Sequence, residues 1–397
     1  MSTVRAGAGR RPASEGALAI DPADQQLARP QTRHYLDHAS TSPLRPAAAE
    51  AMVSWLRGPA ADPGRIYEEG LSARAAIEEA RDAVAGFLGC RSSREVVFTS
   101  GATEAIATAV WGASERGGHQ VVTAVEHSAV RLSAEAAGTV TLVGVDGLGR
   151  VDVDAVMDAV RSDTACVHVQ WANHEVGTLQ PVQDVVALCR ERGVLVHVDA
   201  AQAAGHVAID FNELGADLLS VSAHKLGGPP GVGALLVRRG LRLRPLLVGG
   251  DQERARRAGL ENVPAIVGFG VACGAIDVVA EASTQLALTR RVLDAAFDGV
   301  VVYGDPVDRV SHLVCLGIVG IEPQAVLLGL DRFGIAAHSG SACSSEALEP
   351  SPVLEAMGVD AHRSLRVSVG WSSTDADIDA FLDALPRVIA DLRSLSG

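Results

Sequence analysis

Between about residues 95 and 240 the chain alternates short apolar runs with stretches of helical periodicity. Glu95–Thr99, Gln120–Val125, Ala165–Gln170, Val194–Val198, Asp217–Val221 and Val232–Val237 have the length and β-branched content of strands. Ala102–Glu115 and Val182–Arg192 repeat apolar residues every three to four positions and predict helices. Runs that are apolar at nearly every position predict strands covered on both faces, hence an α/β fold around a mostly parallel sheet. A long helical stretch is predicted over 264–297. A second α/β pattern follows, with strands near 311–319 and 363–370 and helices over 323–333 and 374–393. This predicts a large domain over 44–280 and a smaller α/β domain formed by 34–43 with 281–397. Residues 1–33, rich in Ala, Gly, Pro, Arg and Ser, are expected to be a disordered tail. Arg10-Arg11 has no apolar segment behind it of the kind an export signal needs.

Composition narrows the function. The chain has 397 residues, 48% of them hydrophobic, and a formal net charge of −14. An acidic surface disfavours nucleic acid and anionic membrane as partners. No stretch approaches the roughly 20 apolar residues that span a bilayer. The six cysteines are scattered without a CxxC pair, which predicts reduced thiols, a cytoplasmic setting and no zinc site.

Of the 34 basic residues, one is lysine: Lys225, in Ser222-Ala223-His224-Lys225-Leu226-Gly227-Gly228-Pro229. Arginine stays protonated, whereas lysine can lose its proton and form a Schiff base. An apolar run precedes Lys225 and a Gly/Pro turn follows, a placement unlike that of a stray surface cation. Other polar groups fall at the ends of apolar runs, where open α/β sheets bind ligands. Thr99-Ser100-Gly101-Ala102-Thr103-Glu104 joins a strand to a helix, and its amides and hydroxyl suit an anion. Read alone, it is an ordinary capped turn. Asp199 ends a strand, with Gln202 three residues on, and its carboxylate can keep a heterocyclic nitrogen protonated or simply cap a helix. His127 follows another strand and can stack on a flat ring or move a proton. His174 sits in Asn173-His174-Glu175-Val176-Gly177 at the end of a third. Arg366 stands inside an apolar strand and calls for a partner, such as a substrate carboxylate. Cys343 lies in the small, polar run His338-Ser339-Gly340-Ser341-Ala342-Cys343-Ser344-Ser345, the setting of a reactive thiol, while the other cysteines sit within apolar patterns. Together these residues make a site for pyridoxal 5′-phosphate.

With those motifs the chain resembles the class V aminotransferases, and within them the cysteine desulfurases of the NifS/IscS type. The resemblance runs through Tyr35–Ala39, Ser100–Glu104, Glu126-His127, Asp199–Gln202, Ser222–Lys225, Gly249–Arg254, Ser339–Ser345, Glu349–Ser351 and Arg366, and spans about residues 34–395. It implies the fold type I of pyridoxal-phosphate-dependent transferases. Lys225 would carry the cofactor and move protons, Asp199 would pair with its ring nitrogen, and Gln202 would hydrogen-bond its phenolic oxygen. Ala102, Thr103, Ser222 and His224 would hold its phosphate, and His127 would stack on the ring and share in the catalysis. Arg366 would hold the carboxylate of L-cysteine. Cys343, on a moving loop of the small domain, would take the sulfur as a persulfide for a protein acceptor, leaving alanine. No metal is implied, apart from Cys343 as a transient Fe–S ligand. The acceptor would serve Fe–S assembly, tRNA thiolation or a specialised sulfur pathway, and the enzyme would be a homodimer. Three positions depart from the family pattern. His174 stands where a second asparagine is usual, near the phenolic oxygen. Leu260 replaces a threonine that reaches the other subunit's phosphate. Tyr67 replaces a common histidine. Another class V activity (aminotransferase, selenocysteine lyase or C–S lyase) and a non-catalytic, cofactor-binding assembly partner are the alternative readings.

Overall fold

A computed structural model describes residues 32–340 and 350–396. Its strands are β1 (His34–Tyr35), β2 (Val96–Thr99), β3 (His119–Thr123), β4 (Thr139–Val143), β5 (Thr164–Gln170) and β6 (Leu195–Asp199). They continue with β7 (Leu218–Ser222), β8 (Gly233–Val237), β9 (Val300–Tyr303), β10 (Leu313–Ile318), β11 (Ile335–Ala336) and β12 (Ser364–Ser368).

Seven strands form the large sheet in the order β2-β8-β7-β6-β5-β3-β4. β4, β3, β5, β6 and β7 pair in parallel, and β8 joins β7 and β2 antiparallel. The apolar runs are buried on both faces because helices cover the sheet, and every residue of β6, β7 and β8 is buried. The largest apolar cluster gathers Val84, Val169, Val198, Leu219 and Phe269 around this sheet. A second cluster, with Leu36, Leu316, Val367, Phe381 and Leu385, packs the three-stranded antiparallel sheet β12-β10-β9 against the long helix Asp375–Ser396. β1 pairs with β11, and Ala39 N–H donates to Ser368 Oγ, which bring the segment around Asp37 beside β12.

Three features differ from the sequence reading. The stretch over 264–297 is two helices, Val263–Gly274 and Val278–Asp294, meeting at 78°. Asp277 caps the second by accepting from Ala280 N–H, so the chain turns where the apolar pattern runs on. β4 is an edge strand, exposed or half-exposed up to Val143, so it lacks the continuous apolar run that marks the inner strands. Arg33, assigned to the tail, pairs with Asp331 at 2.8 Å.

Candidate active site

The order of the strands reverses between β3 and β5: β4 is laid outside β3, and β5 returns on its other side. Such a switch point opens a crevice at the carboxyl ends of the strands. A cavity of about 530 Å³ lies there. Ala102, Thr103, His127, His174, Asp199, Gln202, Ser222, His224, Lys225 and Arg366 all line it; Tyr67 and Leu260 do not, and Cys343 lies outside the described residues.

One end of the cavity is built by the turn after β2. The helix Ala102–Ala113 begins at the cavity wall, and the amides of its first turn have no intrahelical acceptor. Ser100 N–H donates to Glu104 Oε2 at 2.8 Å, and Arg257 pairs with Glu104 at 2.8 Å, which ties the turn down from behind. Burial pushes the Glu104 carboxyl up, but the bonds from Arg257 and Ser100 outweigh it and hold it below its ordinary range. Gly233 is required here. A Cβ on it would come within 2.7 Å of Gly101 Cα and 2.6 Å of Val221 O, so β8 passes the turn only without a side chain. Ser222 Oγ and His224 Nδ1 are 2.8 Å apart on the cavity wall. Burial and the charge of Lys225 lower His224 to about 4, so its ring is neutral at pH 7.

Asp199, at the end of β6, is buried and accepts Ala201 N–H at 2.9 Å. Among the described residues it has no ion-pair partner. Burial raises its carboxyl above the ordinary value, against the pull of that amide, Lys225 and His174. Next to it Glu126 accepts from Thr123 Oγ1 at 2.7 Å and Gln170 N–H at 2.5 Å, while its buried Oε2 has no partner. Burial and Asp199 push Glu126 up to about 8, so it stays protonated and leaves Asp199 as the carboxylate of the pair.

Lys225 Nζ donates to Gln202 Oε1 at 2.9 Å. Burial, with Arg366 adding to it, lowers its pKa to about 8, against Asp199 and Asp37. About a tenth of the amine is then free at pH 7, far more than for an ordinary lysine, while most remains the ammonium. His127 caps the helix Ser128–Ala137: its Nδ1 accepts Ala129 N–H at 3.1 Å, which leaves the ring hydrogen on Nε2. Burial, His174 and Lys225 lower it to about 3. The rings of His127 and His174 meet edge-on, with centroids 5.2 Å apart.

Arg366 is buried on β12, but the partners it required come from the protein itself. It donates to Asp37 Oδ1 at 2.9 Å, Ser40 Oγ at 2.6 Å and the carbonyl of His174 at 2.7 Å. Its Nε is buried without a partner. Asp37, Ser40 and Glu126 were missed as site residues. Asp37 and Glu126 fall in motifs that carried the resemblance, but only the folded chain shows what they touch.

The donor set fits pyridoxal phosphate. A buried carboxylate without an ion-pair partner among the described residues faces a lysine of lowered pKa, and an N-terminal helix turn with Ser222 and His224 beside it stands at the other end. The family profile described as aminotransferase class-V matches residues 34–381.

The chain belongs to the class V aminotransferase family.

It is 41% identical over 378 residues to a cysteine desulfurase of Gluconacetobacter diazotrophicus, covering 91% of this chain and 94% of that one. It is 39% identical over 378 residues to the cysteine desulfurase IscS of Dictyoglomus turgidum, covering 91% and 96%. Among solved structures, a NifS-like protein superposes with a TM-score of 0.85 at 30% identity, over 91% of this chain and all of that one. A protein titled SspA in complex with cysteine superposes with a TM-score of 0.77 at 30% identity, over 86% of this chain and all of that one. The α/β class read from the sequence, with its mostly parallel large sheet and smaller C-terminal unit, is the observed one.

Proposed function

We propose that this enzyme is a pyridoxal-phosphate-dependent cysteine desulfurase that moves the sulfur of L-cysteine to Cys343. One observation carries the reading: a single cavity joins Lys225, the buried Asp199 and the helix turn at Ala102. The desulfurases among its relatives support the substrate. When bound, pyridoxal phosphate supplies an aldehyde for an amino group and an electron sink that loosens bonds at Cα and Cβ.

The residues divide the rest of the work. The amides of Ala102 and Thr103, with Ser222 and His224, hold the phosphate at the helix N-terminus. Asp199 keeps a proton on the ring nitrogen, and Glu126, being neutral, does not compete for it. Lys225 holds the cofactor and moves the proton at the substrate Cα. His127 stacks on the ring and offers its Nε2 hydrogen to the cavity. Arg366, fixed by Asp37 and the His174 carbonyl, receives the substrate carboxylate. The Cys343 thiolate attacks the substrate sulfur, the Cβ–S bond breaks, and Cys343 keeps the sulfur as a persulfide. The remaining carbon skeleton takes up protons and leaves as alanine, so no outside oxidant or reductant is needed.

Cys343 follows Gly340 by three residues, a tether of roughly 10 Å, and Gly340 lines the cavity. Burial pushes the Cys90, Cys189 and Cys315 thiols up to about 12, so these are poor thiolates at neutral pH. We further take the enzyme to be a homodimer acting in the cytoplasm, with a protein as sulfur acceptor. Ile66, Tyr67, Val248 and Leu260 are exposed apolar residues suited to an interface. Arg254 and Arg257, near Leu260, pair within the chain with Glu78 and Glu104. Residues 34–43 with 281–397 are taken as the small domain, on the strength of the second apolar cluster.

The test is borohydride reduction of the protein loaded with pyridoxal phosphate. Peptide mass mapping should place the fixed cofactor on Lys225, and Lys225→Ala should fix none. Cofactor fixed elsewhere, with Lys225→Ala fully active, would sink the proposal.

A further inference from the structure

Behind Lys225 runs a chain of buried polar side chains that the reaction above leaves unused. Gln202, whose oxygen accepts from Lys225, turns its amide nitrogen to His312 Nε2 at 2.7 Å. His312 precedes β10 and is fully buried. Its ring stacks on that of His206, with centroids 3.4 Å apart and planes at 14°. His206 Nδ1 is fixed at 3.0 Å by Gln285 Oε1, which also accepts from Ser311 Oγ at 3.1 Å. The stack and these bonds hold the His312 ring in one plane.

The hydrogen positions follow from the donors. Gln202 Oε1 accepts from the Lys225 ammonium, so its Nε2 must donate to His312, and His312 Nε2 must be bare. Burial, His206, His38 and Lys225 keep this ring neutral. Its single hydrogen is then on Nδ1, which is buried and has no partner. A buried N–H without an acceptor is the costlier kind of orphan; an unused lone pair is better tolerated. The other arrangement removes it. With the imidazole hydrogen on Nε2, His312 donates to Gln202 Oε1, Nδ1 keeps only a lone pair, and the amide NH2 of Gln202 turns to the cavity. The hydrogen count is unchanged: Nδ1 gives up one proton and Nε2 gains one. What holds the first arrangement in place is the Lys225 ammonium, which requires an oxygen facing it.

We propose that His312 is a positioning residue that makes the direction of the Gln202 amide follow the charge of Lys225. While the lysine is a free ammonium, Gln202 presents its oxygen. Once the amine no longer donates to that oxygen, His312 turns the amide over and presents an N–H to an anionic oxygen in the cavity. This rests on the pyridoxal-phosphate reading, because the cofactor's phenolic oxygen is the acceptor that such an N–H would meet. His312 touches neither the cofactor nor the substrate, and acts through Gln202 alone.

The experiment uses the full-length protein labelled with ¹⁵N-histidine, without and with pyridoxal phosphate. Imidazole ¹⁵N shifts, assigned with a His312→Asn control, should show the His312 hydrogen on Nδ1 in the cofactor-free protein and on Nε2 in the loaded one. In parallel, cofactor affinity is measured by absorbance titration. His312→Leu, which cannot donate, should bind pyridoxal phosphate roughly tenfold more weakly. His312→Asn, whose amide can donate to Gln202 Oε1, should restore affinity to within about twofold. An imidazole hydrogen on the same nitrogen in both states would overturn the proposal while leaving the cofactor assignment intact, as would wild-type affinity in His312→Leu. A weakened His312→Asn together with a weakened His312→Leu would reduce His312 to a packing residue. Failure of the wild-type protein to bind pyridoxal phosphate would overturn both readings.

Discussion

Arg366 and Asp37 form an ion pair of 2.9 Å between residues 329 positions apart, tying the start of the described chain to β12 at the cavity wall. Both side chains are largely buried. Asp37 therefore neutralises the guanidinium that the substrate carboxylate is proposed to meet. Replacing Arg366 with Ala should raise KM for L-cysteine at least tenfold, because a charge-assisted contact is lost. Cofactor affinity should change little. Initial rates over a wide cysteine range, beside a cofactor titration, check this, and an unchanged KM would refute the carboxylate role.

Asp37→Ala should act differently. Breaking a buried pair leaves an uncompensated cation, at a cost of about 3–5 kcal/mol. The variant should unfold at lower denaturant concentration, and L-cysteine should restore more stability to it than to the wild-type chain. Equal stabilisation of both proteins by cysteine would mean that the carboxylate does not reach Arg366.

Asp199→Asn removes the negative charge but keeps the shape. A hydrogen bond to a charged group contributes about 1.5–3 kcal/mol. Cofactor should therefore leave the variant at least tenfold more readily on dialysis. Retention equal to wild type would show that Asp199 serves only as the cap it provides for Ala201.

The sheet interior carries an acid-sensitive ladder. Ser220 Oγ lies 2.7 Å from His197 Nε2, His197 Nδ1 lies 3.1 Å from His168 Nδ1, and His168 Nε2 lies 3.0 Å from Gln120 Oε1. If Ser220 donates, each ring carries one hydrogen and has no room for a second. Burial lowers His168 to about 3, and burial with His168 lowers His197 well below its ordinary value. The unfolded chain takes up these protons first, so the stabilisation is complete above pH 6.5. It is lost as pH falls from there towards 3, at about 1.4 kcal/mol per pH unit for each ring. His168→Phe should be less stable at pH 7 but show a flatter acid limb in denaturant unfolding between pH 6 and 4. A limb as steep as wild type would exclude His168 as a source of acid lability.

Most strands were legible because their β-branched runs are covered on both faces, and the site residues were legible because they punctuate the ends of those runs. Strand direction was not: Gly233–Val237 reads the same either way, and only pairing shows that β8 runs against β7. The break at Ala275–Asp277 was hidden because Ala272 to Ile276 stays small or apolar throughout, although Asp277 carried a cap signal. The partners of the site residues were the least visible. Asp37 reaches Arg366, and His312 reaches Gln202, through tertiary contacts over more than a hundred residues, and neither has a local pattern. Cys343 was singled out by its small, polar surroundings.

The most direct measurement follows sulfur and carbon from one substrate. The pyridoxal-phosphate-loaded enzyme is given L-cysteine without reductant, alanine is quantified, and peptides are mapped by mass for added sulfur. The account predicts about one alanine per subunit in the first turnover, with the extra sulfur on Cys343, and neither product from Cys343→Ser despite normal cofactor binding. Alanine formation by Cys343→Ser at the wild-type rate, or a persulfide mainly on Cys90, Cys166, Cys189, Cys273 or Cys315, would contradict it.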